Sequence, residues 1–211
     1  MTILYDFFRS SSCYRVRIAL NLKGVEYERK VINFRRNDQE SPDYLDVNAQ
    51  GLVPTLEIDG LRLNQSLAII DYLDATRPRP RLIPDQAAQR ALVLSLSLSI
   101  ACDIHPVNNL RVLDRLRQAH GASSDQVDEW YRHWVGLGLN ALEKQVANLP
   151  THRFLFDEPT LFEIFLVPQL YNARRYNVDL SAVSALLRIE EAALSLPAFS
   201  AAAPEHFAPA A

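Results

Sequence analysis

Seven consecutive residues, Arg9-Ser10-Ser11-Ser12-Cys13-Tyr14-Arg15, hold three serine hydroxyls, a thiol, a phenol and two guanidinium groups. They follow the short apolar run 3–8 and precede Val16, Ile18, Ala19, Leu20 and Leu22. That pattern reads as a strand, then a helix, with the serines where the free N–H groups of a helix start need acceptors. A helix N-terminus carries about half a positive charge. A thiolate placed there is stabilised, and nearby hydroxyls can donate to it. Taken alone, the segment reads more simply as serine caps with Cys13 as a half-buried filler.

Two further segments carry similar chemistry. Val53-Pro54 precedes an alternating run. A cis bond there would turn the Val53 backbone outward, where it can pair with an extended peptide, although a trans proline is the commoner case. Gln65-Ser66 opens a helix, so its N–H groups and the Ser66 hydroxyl form either a carboxylate site or a plain cap. In this order the three segments could hold the thiol, the backbone and the terminal carboxylate of a small peptide. A second constellation is cationic: Arg9, Arg111, Arg174 and Arg175. The forked guanidinium suits carboxylates, and these arginines in one cleft would grip a dicarboxylate. The plainer reading is that most of the 22 basic residues are solvated or paired.

The elements that must position these groups fall into two parts. Residues 3–8, 27–32, 53–58 and 61–63 read as strands, the last two joined by Asp59-Gly60, a strong hairpin signal. Helices follow residues 10–12, cover 43–48 and open at Ser66. The order βαβαββα predicts a thioredoxin-like α/β domain over 1–77. Three prolines within 78–84 mark a linker over 78–86. From 87 to 211 the periods are helical, which predicts an all-α domain. The alternation in Ser95-Leu96-Ser97-Leu98-Ser99-Ile100 suggests a strand by itself but is flanked by helix formers, and helix is expected. Helices are also expected over 126–148, from the capping box Thr160–Glu163 to a kink or stop at Pro168, and last over 181–196. The Ala/Pro-rich end, 201–211, is expected to fray or drape over the surface.

Composition narrows the class. With 211 residues, 48% hydrophobic and 22% charged, the chain is an ordinary globule. A net charge of −3 argues against a nucleic-acid or anionic-membrane partner. Its two cysteines form no Cys-x-x-Cys pair, which fits a reducing compartment, and no metal site is expected. No signal segment and no apolar run of membrane-spanning length is read, so a cytoplasmic location is expected.

The segments FRSSSCYRVRIAL (8–20), GLVPTL (51–56), QSLAIIDY (65–72), DIHPVNN (103–109), LVPQ (166–169) and NARRYNVDL (172–180) together resemble the zeta class of glutathione S-transferases, the family that includes maleylacetoacetate isomerase. The resemblance spans residues 3 to about 196. It implies glutathione as cofactor, a homodimer and a small dicarboxylate substrate. The implied glutathione contacts are Ser10, Ser11, Ser12, Cys13, Tyr14, Arg15, Gln39, Val53, Gln65, Ser66 and His105, with Asn109, Leu110 and Arg111 reaching toward the dimer interface. The implied catalytic residues are Ser10, Ser11, Ser12 and Arg15, with Arg9 and Arg175 on the substrate.

Two positions depart from the family pattern. The family's cysteine falls on Ser12, so Cys13 is one place late and is given no catalytic role. Phe156 and Phe162 stand where the family has Gly and Ala, which bears on packing beneath that helix and on any nearby pocket wall. The implied activity is a cis–trans isomerisation of maleylacetoacetate or maleylpyruvate. The alternatives are conjugation of glutathione to α-haloacids and a non-catalytic binding role for the same fold.

Overall fold

The computed structural model describes residues 1–150 and 153–209. The chain divides into two compact units, Met1–Leu82 with the chain end from Leu196, and Ile83–Ser195.

The first unit runs β1 (Ile3–Asp6), α1 (Ser11–Leu22), β2 (Glu28–Val31), α2 (Pro42–Leu45), β3 (Thr55–Ile58), β4 (Leu61–Asn64) and α3 (Ser66–Thr76). Two 3-10 turns, Phe34–Arg36 and Asp38–Glu40, lie between β2 and α2. The sheet order is β2-β1-β3-β4. β1 and β2 are parallel and the other two pairs antiparallel, as a strand–helix–strand unit followed by a hairpin requires. The hairpin turns on Asp59 and Gly60, both in left-handed backbone (φ 52° and 78°), the geometry that keeps two strands twisting together. Leu4, Leu56 and Ile58 of the sheet are buried, as are Val16, Ala19 and Leu20 of α1 and Ile69, Ile70 and Leu73 of α3.

α1 ends at Leu22 with Lys23 as its C-cap and Gly24 next, and Lys23 does more than face the helix dipole. Its buried ammonium donates to Asp74 Oδ1 (2.7 Å), Arg77 O (2.7 Å) and Pro80 O (2.5 Å). That one group ties the end of α1 to the end of α3 and to the proline segment.

The chain end corrects the expectation of a frayed or draped tail as far as residue 209; residues 210–211 lie outside the described residues. α9 (Pro197–Ser200) and a 3-10 turn (Pro204–Phe207) pack with the first unit, with Phe199, Ala202 and Pro204 buried. Tyr14 Oη donates to Phe199 O (3.3 Å), Arg17 Nε to Ala202 O (3.0 Å) and Asn21 Nδ2 to Ala198 O (3.0 Å). Composition hid this, because two rings and a proline among alanines suffice as anchors.

The second unit is helical: α4 (Ala87–Leu98), α5 (Leu110–His120), α6 (Ser124–Val146), α7 (Leu161–Arg175) and α8 (Ser184–Leu194). The alternating serine stretch is helix, as expected. Ser97 Oγ donates to Val93 O (2.7 Å) and Ser99 Oγ to Ser95 O (3.0 Å), so these hydroxyls are satisfied within the helix. A π-helical turn (Ser99–Ile104) and a 3-10 turn (Pro106–Asn108) then separate α4 from α5.

Both halves of the Thr160–Glu163 capping box are present, and Pro168 does not stop α7, which runs on to Arg175. Phe162, in place of the family's Ala, is fully buried, so the helix start survives that ring. α8 starts three residues later than expected. The Glu143 carboxylate of α6 accepts from the backbone N–H groups of Ala185 (2.9 Å) and Leu186 (3.0 Å) and caps it from a distance. The helical run 87–120 is long and apolar enough by length and composition to cross a bilayer, a test that the core helix of a soluble protein also passes. It is not one α-helix, since the π and 3-10 turns interrupt it.

Candidate active site

In the first unit the predicted residues collect at two helix starts. Ser10 is the N-cap of α1, and its Oγ accepts from Cys13 N–H at 3.2 Å. That bond leaves the Ser10 hydroxyl hydrogen available to a ligand. Ser11 is buried and Ser12 half-buried beside it. Cys13 is fully buried, and desolvation, reinforced by the Asp6 charge, pushes its thiol well above the ordinary range. Such a thiol stays protonated and inert, which agrees with giving it no catalytic role. Tyr14 is also buried, and its hydroxyl is directed to the tail.

Arg15 joins the two helix starts. The side chain is 1% exposed, and Nη1 donates to Ser66 Oγ at 3.4 Å. Ser66 is the first residue of α3, so a guanidinium sits beside a helix N-terminus. The two positive charges add, and the place attracts anions. Gln65, immediately before it, has φ 67° and ψ 118°, a conformation that costs a non-glycine residue about 1–3 kcal/mol. Its Nε2 donates to Gln50 Oε1 at 3.2 Å. Strain of this kind persists where surrounding structure demands it and clusters at binding sites. No sequence signal marked it, since glutamine has no preference for positive φ.

The Val53–Pro54 bond is cis, and Val53 is half-buried just ahead of the β3 ladder, which begins at Thr55. Gln39 has a buried Oε1 with no hydrogen-bond partner. Gly51 (φ 61°) lets the segment before β3 approach Gln39, since a Cβ there would lie 3.0 Å from the Gln39 carbonyl oxygen. Arg9 is exposed, its guanidinium 5.0 Å from the centre of the Phe8 ring.

In the second unit the predicted contacts sit in the break between α4 and α5. His105 follows the π turn and is half-buried. Asn109 caps α5, its Oδ1 accepting from Arg111 N–H at 3.2 Å. Leu110 and Arg111 are exposed. Sequence reasoning passed over Asn108, which is buried with Oδ1 unpartnered while Nδ2 donates to Ile104 O at 3.0 Å. It also passed over Gly138 of α6, where a Cβ would lie 2.3 Å from Ile104 Cγ1. A helical glycine facing a π turn is the signal that pairs them, and only the fold reveals it.

Two members of the cationic constellation, Arg174 and Arg175, end α7. Arg174 is held by Glu190 through two bonds, Nη1–Oε1 at 2.6 Å and Nη2–Oε2 at 2.5 Å. Arg175 is exposed, donates to Asn172 Oδ1 at 3.2 Å and lies 5.6 Å from the centre of the Tyr176 ring. Phe156, the other departure from the family pattern, lines a cavity of about 390 Å³ with Leu92, Leu149 and Leu155, apart from every predicted contact.

A strand–helix–strand unit closed by a hairpin, with two anion-attracting helix starts, defines a thioredoxin-like domain. Residues 9–76 match the family described as glutathione S-transferase, N-terminal domain. A probable maleylacetoacetate isomerase of Vibrio cholerae is 44% identical over 207 residues, 97% of this chain and 96% of that protein. A solved maleylpyruvate isomerase, described as a bacterial zeta-class glutathione S-transferase, superimposes with a TM-score of 0.94 at 40% identity, covering 96% of each chain. A maleylacetoacetate isomerase from Methylobacterium extorquens AM1, solved with malonate and glutathione bound, gives a TM-score of 0.95 at 37% identity, covering 99% of this chain and all of that one. The chain belongs to the zeta-class glutathione S-transferase and maleylacetoacetate isomerase family.

Proposed function

We infer that this protein is a glutathione-dependent isomerase that converts a maleyl keto acid, maleylacetoacetate or maleylpyruvate, to its trans isomer. The observation that carries the reading is the Arg15–Ser66 bond, which binds an anion-attracting helix start to the hydroxyl-bearing start of α1. The residues present fit the cofactor. Glutathione has two carboxylates, an amine, two peptide groups and a thiol. The chain presents a helix N-terminus with Ser66 for a carboxylate, the Val53 backbone for a peptide group, a buried orphan acceptor at Gln39 for an N–H and the Ser10 hydroxyl for the sulfur.

When bound, glutathione supplies a thiolate that adds reversibly to the cis double bond, which becomes single, rotates and re-forms as trans. The chain's residues do the rest. Ser10 and Ser11 donate to the sulfur and, with the α1 N-terminus, favour its ionised form. Val53 holds the peptide backbone, and Gln65 and Ser66 hold the γ-glutamyl end. Arg9 and Arg175 grip the substrate carboxylates and stabilise negative charge developing on the keto group. Arg174, occupied by Glu190, is left out of that role. His105, Asn109, Leu110 and Arg111 complete the cofactor contacts in this reading. Both cysteines are free thiols, which suits the cytoplasm, and the protein acts as a homodimer in aromatic amino-acid breakdown.

The test is an ultraviolet isomerisation assay on both acids, with and without glutathione. Turnover of at least one acid that requires glutathione is expected. Haloacid conjugation without isomerisation would move the protein to the transferase reading, and failure to bind glutathione would make it a non-catalytic member of the fold. Replacing Ser11 with Ala is expected to lower turnover by about 10²-fold or more and to raise the pKa of the bound thiol; unchanged values refute the role given to Ser11.

A further inference from the structure

Asp6, at the end of β1, is a fully buried carboxylate four residues before the cap of α1. Two cations answer it. Arg17 Nη1 donates to Asp6 Oδ1 at 2.6 Å, with both side chains sealed from solvent, and the partly exposed Arg29 donates from Nε to Oδ2. Arg17 does more than neutralise. Its Nη2 donates to Phe8 O at 3.1 Å and its Nε to Ala202 O at 3.0 Å. One guanidinium thus joins the end of β1, the turn leading into Ser10 and the C-terminal tail. Phe207 of that tail covers it, with ring centroids 4.5 Å from the Arg17 guanidinium carbon and 5.1 Å from that of Arg29.

We propose that Arg17 is a positioning residue for the thiolate-holding end of α1, cancelling the Asp6 charge there and fixing the Phe8 turn, with the C-terminal tail as the cover that keeps it in place. This rests on the glutathione reading above. The field of the pair reaches the first turn of α1: the Cys13 thiol and the Tyr27 hydroxyl are raised chiefly by burial, and each is in addition pushed up by Asp6 and pulled down by Arg17. Among the described residues, Arg17 and Arg29 pair with Asp6, and Cys13 of α1 and Tyr27, between α1 and β2, lie within reach of its charge. On the tail, Glu205 and His206 are exposed and Phe207 contributes its ring. Without Arg17, Asp6 would keep only the partly exposed Arg29, and its less fully cancelled charge would oppose a thiolate held by Ser10 as it opposes the one Cys13 would form.

The experiment titrates the absorbance of the glutathione thiolate bound to the full-length protein, alongside the affinity for glutathione and the thermal midpoint. Arg17→Gln is expected to raise the apparent pKa of the bound thiol by about half a unit or more, and Arg17→Lys, which keeps the charge, to restore it. Asp6→Asn with Arg17→Gln removes both charges and is expected to return the value to that of the parent. Phe207→Ala tests the cover without touching the buried pair and is expected to raise the value in the same direction by a smaller amount. An Arg17→Gln protein that folds, binds glutathione and keeps the parental pKa overturns the proposal. If that variant does not fold, a parental value in Phe207→Ala does so instead. A parent protein that fails to bind glutathione overturns the functional reading, and this proposal with it.

Discussion

At the scale of single residues, burial decides which reactive groups are in play. Cys13 is sealed and its thiol is held protonated, whereas Cys102 lies exposed in the π turn. A thiol reagent at neutral pH is expected to label Cys102 alone in the native protein and both cysteines after denaturation. Labelling of Cys13 without unfolding would contradict the burial described. Ser10 has two duties, as cap and as donor. Replacing it with Ala is expected to cost about 1 kcal/mol of stability, read from a denaturant midpoint, in addition to any effect on glutathione. The serine cluster could be found from sequence because capping is a local matter. The partners of Asp6 and Arg17 could not. A charge within the apolar run 3–8 and another among α1's apolar residues were visible, yet their meeting depends on how α1 packs on the sheet.

At the scale of elements, helix starts and close approaches carry the positioning. The Glu163 carboxylate is fully buried at the head of α7, accepting from Leu155 N–H (2.7 Å), Thr160 N–H (2.7 Å) and Thr160 Oγ (2.8 Å). Burial outweighs these bonds and leaves its carboxyl above the usual carboxylate range. A carboxyl raised on folding binds more protons in the folded state, so its contribution to stability falls as pH rises from the ordinary carboxylate pKa toward the folded one. Glu163→Gln is expected to remove that slope from urea midpoints measured against pH, and to cost about 1–3 kcal/mol because an amide cannot accept all three bonds.

Gly138 gives a sharper test of α6 against the π turn. Gly138→Ala is expected to cost about 1–3 kcal/mol through overpacking on Ile104. Gly136→Ala, whose Cβ would meet nothing closer than 3.9 Å, serves as the control. The hairpin at Asp59-Gly60 and the box at Thr160–Glu163 were legible because each is a short-range pattern. The π turn was not, because it depends on a glycine more than thirty positions away.

At the scale of the whole molecule, the strands and main helices follow the grammar of the sequence, and the chain end departs from it. The alternation of strands and helices, the hairpin and the long helical stretch place every strand and the main helices within a few residues of where they lie. The tail was misread because alanine and proline say little about where a segment packs, and its anchors are set by partners 185 positions away at Tyr14 and Arg17. Ending the chain at Ser195 would remove Phe199, Ala202 and Phe207 together. Such a protein is expected to lose cooperative unfolding of the first unit, seen as a lower and broader thermal transition, while a chain ending at Ala208 behaves as the parent.

Because α1 is held by residues made only after the whole second unit, the first unit cannot be completed in the order in which it is made. A nascent chain that has emerged only as far as Ser195 has its sheet and α1 but not the segment that covers Arg17 and receives the Tyr14 hydroxyl. Glutathione capture is therefore expected to become fully competent only once residues 196–207 have emerged, and nonsense or frameshift changes that remove them are expected to disable a helix made long before.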